Sequence, residues 1–535
     1  MNFLGLYFLF LYLTWPIAHV FTVAALPSGK LSHIARVASS EELCFGNVRK
    51  SLSLNDTYCV NQVCPPWKKY DGVFESCGYH LGFLFPYVNF PGKAVRVLGA
   101  YLALRHVNTR NVSFVPEANE LPVDFLCSAT LYDTDFSPEG GISSALEAKD
   151  AGVVAIVGAA RSSATIPVSH VALTGNISVV SYASTSAALS SAGTFPLFTR
   201  TIPTDTETSY SLASLMLRDF GWTRVAMLFV DDSYGNSYYQ DFLSACEKIS
   251  TQMKHTGQEL EVSGAALSRG LVESSMHRLK LLGFRVFALV LLGETISLFA
   301  RTALSLGMIG EGFTYITVDS DITEVLRSPA KYGASLEEVP RFAAAFQGFL
   351  RIFPDPIVEP KYSALDREAQ RIGAEVVPEQ YKEALVAQGI DLDEWFARGL
   401  QQDIFAVYAY DAVWAVALAL ARAEREDPGW LGAPCEGGAR CPGERLTQLI
   451  RSSEFSGASG SVSFASEIAD DGSRAFSGDR SSAKMQVRVQ FYSPSNGSWV
   501  TAAFLHPDGL EHLVPIEWPG CRPTGRTARP GSSST

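Results

Sequence analysis

From residue 78 to about residue 320 the chain alternates short apolar runs, rich in β-branched residues, with segments of helix length closed by glycine or a glycine-containing turn. A strand covered on both faces reads as a continuous apolar run, so this alternation predicts α/β architecture with parallel sheets under helices. The predicted strands are Val153 to Val157, Ile177 to Ser181, Val225 to Val230, Phe287 to Leu292 and Tyr315 to Val318. Between them, helices are expected from Ser209 to Phe220, Ser237 to Ile249 and Ile296 to Leu306.

A chain of 535 residues, 47% of them apolar, has material for two or three packed units. Its net charge of −12 is spread evenly, without a basic block or stripe, which argues against a nucleic-acid partner. Residues Phe3 to Leu26 are almost all apolar and are followed by Pro27, Ser28 and Gly29. That segment, 1–26, reads as a secretory signal cleaved near Ala24 and Ala25, or, lacking a basic start, as an uncleaved signal anchor. The later apolar run Phe405 to Ala423 carries Asp411 and suits a buried helix better than a membrane span.

Secretion makes disulfides the default for the nine cysteines, four of which crowd the Cys-rich segment 27–77. Cys435 and Cys441 lie in a short Gly/Pro loop that can bring them to bridging distance. Asn55, Asn111, Asn176 and Asn496 head glycosylation triplets. No metal site is expected, because neither Cys pairs nor the scattered His80, His106, His170 and His277 have partners at ligand spacing.

In open α/β sheets, ligands bind beyond the carboxyl ends of the strands. Those ends are polar here: Arg161-Ser162-Ser163 follows one strand, Ser184-Thr185-Ser186 the next, Asp231-Asp232-Ser233-Tyr234 a third, then Glu294 and Asp319. Hydroxyls can hold a carboxylate and Asp an ammonium, so the set suits a small zwitterion, although each such residue would equally cap the helix that follows. Phosphate-loop, dinucleotide, zinc-protease and nucleophile-elbow motifs are missing, so no cofactor and no enzymatic activity are expected. A secreted α/β enzyme using the same pocket is the alternative, as is a ligand-free module that only dimerises.

The stretches "VVAIVGAARSS", "NISVVSYASTSAALSS", "FPLFTRTIPTDTETS" and "LRDFGWTRVAMLFVDDSYG", with "GAYLALRHVN" before and "YAYDAVWAVALALARA" after, closely resemble one family. It is the receptor-family ligand-binding region shared by class C G-protein-coupled receptors, natriuretic peptide receptors and ionotropic glutamate receptor amino-terminal domains. The resemblance spans nearly all of 78 to 521. It implies a bilobed type I periplasmic-binding-protein fold: two doubly wound Rossmann-like lobes, three crossing strands and a cleft that closes on its ligand. Lobe 1 would be 78–203 and 325–455, lobe 2 204–324 and 456–520, and 521–535 a disordered tail. By position, Ser163 and Thr185 would hold an amino acid's carboxylate and amine, while Asp205, Tyr234 and Asp319 would help bind the amine. Ser162 and Glu294 join the candidate ligand-binding set. Cys77 with Cys127 is a further pairing implied by the resemblance, as is a homo- or heterodimer formed through lobe 1. Arg161 stands where the family's first loop carries no cation, and it would lie near the cleft or pair at its rim. A secreted chain, or one at the extracellular face of a membrane with a signalling partner or missing transmembrane region, is expected.

Overall fold

The computed structural model describes residues 78–518 apart from 124, 254–259, 269, 294, 319–321, 433–440, 469–473, 482–485, 496 and 507–508. The expectations for the signal, the Cys-rich segment, the tail, Cys77, Cys435, Asn55, Asn496, Glu294 and Asp319 lie outside the described residues.

The first sheet is parallel throughout, in the order β2-β1-β3-β4-β5. Its strands are β1 (Tyr79–Phe85), β2 (Cys127–Asp133), β3 (Ala155–Val157), β4 (Ser178–Ser181) and β5 (Phe198–Arg200). Helix α1 (Pro91–Thr109) packs on one face, and α2 (Pro138–Asp150) and α3 (Ser162–Thr174) on the other. The apolar alternation explains this arrangement. Leu81, Phe83 and Phe85 enter one core cluster and Leu84 the opposite one, so both faces of a single strand are dry.

The second sheet begins after α4 (Asp205–Ser214), which continues through a π-helical turn at Leu215–Asp219. Then follow β6 (Arg224–Val230), α5 (Ser233–Met253), β7 (Glu261–Leu267), α6 (Val272–Leu281), β8 (Val286–Val290), α7 (Thr295–Ser305), β9 (Thr314–Val318) and β10 (Leu350–Asp355). Every strand predicted from the alternation is present. Val225, Met227 and Phe229 pack with α4 and α5, whereas Ala226 and Leu228 pack with α6 and α7.

After Asp355 the chain returns to the first lobe with α8 (Lys361–Val376), α9 (Glu379–Ala387), α10 (Leu392–Ala397), α11 (Phe405–Glu426) and α12 (Pro442–Arg451). Helix α11 has the length and composition of a membrane span, but 89% of its most apolar window is buried inside the protein, against α1 and the first sheet. A three-stranded sheet of β11 (Glu454–Gly457), β12 (Gly460–Ile468) and β13 (Arg474–Arg480) also sits on the first lobe. The antiparallel strands β14 (Gln486–Ser493), β15 (Ser498–His506) and β16 (Gly509–His512) then complete the second sheet, in which β14 pairs with β10.

The lobe boundaries expected at 325 and 456 therefore shift. Residues 325–355 belong to lobe 2, because Leu350 and Ile352 are core members of the second sheet and Val325 and Phe342 pack on its outer face. The described residues of 456–480 belong to lobe 1, where Phe455, Val462 and Phe464 join its main core.

Cys127 starts β2 as a buried free thiol within the lobe 1 core, and desolvation pushes its pKa far up. Its expected partner Cys77 lies outside the described residues. Cys441 is disulfide-bonded, at the entry to α12.

Candidate functional site

The carboxyl ends of β3, β4 and β6 open on a cleft between the lobes, of about 820 Å³. From the first lobe Ser162 and Thr185 line it, from the second Tyr234. These three come from three separate polar strand ends, brought together because parallel strands release all their following loops at one edge.

Most hydroxyls at these ends serve the loops themselves. Ser181 Oγ donates to the Ala159 carbonyl at 2.7 Å and accepts from Ser184 N at 3.0 Å. Ser184 Oγ lies 2.7 Å from Thr165 Oγ1, and Ser162 Oγ accepts from Ser186 N at 3.2 Å. The first two loops are thus held to each other, and Gly158 lets the first of them pass close to β1: a Cβ there would stand 2.4 Å from the Leu84 carbonyl oxygen. Thr185, only 4% exposed, has no hydrogen-bond partner for its hydroxyl among the described residues and faces the cleft.

Ser163 and Asp205 are not among the cleft-lining residues. Ser163 turns inward on the first turn of α3, with its Oγ buried. Asp205 is fully buried at the start of α4, where its N–H donates to the Thr185 carbonyl at 2.8 Å. It supports the Thr185 loop from behind.

Arg161 forms the rim pair that the sequence allowed. Its Nη2 and Nε reach Asp232 Oδ2 at 2.6 and 3.0 Å, and the guanidinium lies over the Phe136 ring. Asp232 Oδ1 accepts from Tyr234 N and Gly235 N, capping α5.

Sequence reasoning missed the far wall, built by residues 389–405 together with Arg351, Arg488 and Trp499 from lobe 2. Within it Arg96 of α1, nearly buried, binds Asp403 at 2.7 Å and lies over the Phe405 ring at 4.5 Å. The only local sign of these roles was apolar patterning, which marks core and says nothing of a cleft. No group of three or more His, Cys, Asp or Glu residues able to hold a metal occurs among the described residues.

Two doubly wound lobes with strand-end loops facing across a cleft define a bilobed ligand-binding protein. Residues 99–476 match the family described as the receptor family ligand binding region. The chain belongs to that family. It is 34% identical over 104 residues to metabotropic glutamate receptor 6 of Rattus norvegicus, covering 19% of this chain and 12% of that one. It is 33% identical over 96 residues to G-protein coupled receptor family C group 6 member A of Carassius auratus, covering 18% and 11%. With taste receptor type 1 member 3 of Canis lupus familiaris it shares 26% identity over 253 residues, covering 45% and 28%. In each case the match spans less than a third of the relative's length.

Proposed function

We propose that this chain is an extracellular receptor-type module that senses a small molecule, an amino acid in the first instance, by closing its cleft. The observation that carries this reading is the convergence of Ser162, Thr185 and Tyr234 from both lobes on one cavity. A ligand touching both sides binds the closed form better and shifts the population toward it. The receptor names of the relatives support a sensing role over a catalytic one. The amine would lie toward Tyr234, the carboxylate toward Thr185 and the amide-rich start of α3. Dimerisation through lobe 1 belongs to the same reading, as does a membrane signalling partner.

Calorimetry of the full chain against a panel of amino acids tests it, with small-angle scattering to follow compaction. Saturable binding with a smaller radius of gyration is expected. No heat and no compaction with any amino acid would overturn the amino-acid assignment.

A further inference from the structure

We infer that this chain carries its own latch, the Arg161–Asp232 pair, which joins the two lobes and shifts the ligand-free equilibrium toward the closed form. Arg161 is the last residue before α3 in lobe 1, and Asp232 lies just before α5 in lobe 2. Their side chains meet across the cleft mouth at 2.6 Å and keep only 23% and 13% of their exposure. The pair therefore exists only when the lobes are together.

Each partner is oriented by its own lobe before they meet. Asp232 Oδ1 holds the Tyr234 and Gly235 amides, both at 3.0 Å, which aims Oδ2 outward. Arg161 is steadied by the Phe136 ring 5.5 Å away and by the Phe136 carbonyl, which accepts from Nη1 at 3.4 Å. Little side-chain freedom is left to lose on pairing, and the burial of most of both side chains limits screening, so the pair is stronger than an ordinary surface bridge. Other contacts cross with it. Ala187 N donates to Ser237 Oγ at 3.2 Å, Lys93 approaches Glu324 at 3.9 Å, and the Lys331 ammonium sits 4.2 Å from the centre of the Phe90 ring.

A ligand for a cleft already populated in its closed form loses less affinity to closure, since apparent affinity scales with the competent fraction. That consequence rests on the cleft being a ligand site, but the latch does not.

The test uses the ligand-free full chain. Arg161→Gln and Asp232→Asn remove the charge pair, and the asparagine keeps an oxygen for the α5 cap. Small-angle scattering should give the ligand-free wild type a smaller radius of gyration than any variant that lacks the pair. Both variants should be larger, and the double variant no larger than either single one, with thermal melts confirming folded protein. Wild type and variants of equal size, or a wild type already splayed, would overturn the latch. Neither result would touch amino-acid binding, which calorimetry reads separately.

Discussion

Asp411 of α11 and Arg480 of β13, both buried, meet on one residue, Ser459, which donates its hydroxyl to Asp411 and accepts from Arg480. Asp411 also takes the Ala458 and Ser459 amides at 2.6 and 2.9 Å. Arg480 reaches on to the carbonyls of Ser459, Ser461 and Thr201 at 3.1, 3.0 and 2.7 Å. Thr201 begins the first crossing between lobes and Arg480 precedes the third, so this pair ties the hinge to the lobe 1 core. The second crossing is tied in by Arg488, which binds Asp355 at 2.7 Å.

Breaking a buried pair leaves an uncompensated charge. Asp411→Ala should therefore cost about 3–5 kcal/mol of stability, while Ser459→Ala, which removes one shared hydroxyl, should cost about 1–3 kcal/mol. Urea denaturation of the two variants checks the order, and a Ser459→Ala loss as large as that of Asp411→Ala would contradict the arrangement.

Gly457 is required by the same cluster, because a Cβ there would lie 2.4 Å from Asp411 Oδ1. Gly457→Ala should destabilise by about 1–3 kcal/mol, and a midpoint equal to wild type would show that β11 can give way.

The two described glycosylation triplets differ in setting. Asn111 stands in a surface turn, where its Oδ1 accepts from Ser113 N. Asn176 Oδ1 accepts from Glu444 N at 3.1 Å, Gly443 presses against it, and Ser178 is fully buried in β4 beside Thr447. Glycopeptide mapping of secreted protein should find a glycan on Asn111 and none on Asn176.

At the cleft, Thr185→Val keeps shape but removes a charge-assisted contact of roughly 1.5–3 kcal/mol, so amino-acid affinity should fall about tenfold or more. Asp205→Asn should lower the melting midpoint and leave intrinsic affinity unchanged, because Asp205 is buried behind the loop. Calorimetry and melting on the same two variants separate the roles.

Burial pushes the Lys331 ammonium down to about 8, with Glu324, Asp135 and Asp133 opposing and Lys93 assisting the shift. A lysine depressed in the folded state binds fewer protons there than in the unfolded chain, so its charge costs stability near neutrality. That cost fades as pH rises through 8 toward the ordinary lysine range. Lys331→Met should raise the melting midpoint at pH 7, and the gain should shrink by pH 10. A gain independent of pH would assign it to packing alone.

The lobes themselves were legible because fully covered parallel strands must be apolar without interruption, as in Val225 to Val230. Asp411 within an apolar run also marked α11 as core despite its length. Less legible were β10 and β14, whose pairing is antiparallel and long-range, so Leu350–Asp355 was assigned to the wrong lobe. Ser162, Thr185 and Tyr234 could be named from strand ends alone. The sequence could not tell that Ser163 and Asp205 turn away from the cleft, since capping and ligand-facing residues share one chemistry.

What the sequence by itself determined is periodicity: which runs become strands, which faces are dry, and therefore which loops open at one edge. What only the tertiary structure decided is juxtaposition. Arg161 and Asp232 lie 71 residues apart and Arg96 and Asp403 lie 307 apart. Their pairing depends on how two separately cored lobes and a returning chain come together in space, a long-range relation that no local pattern encodes.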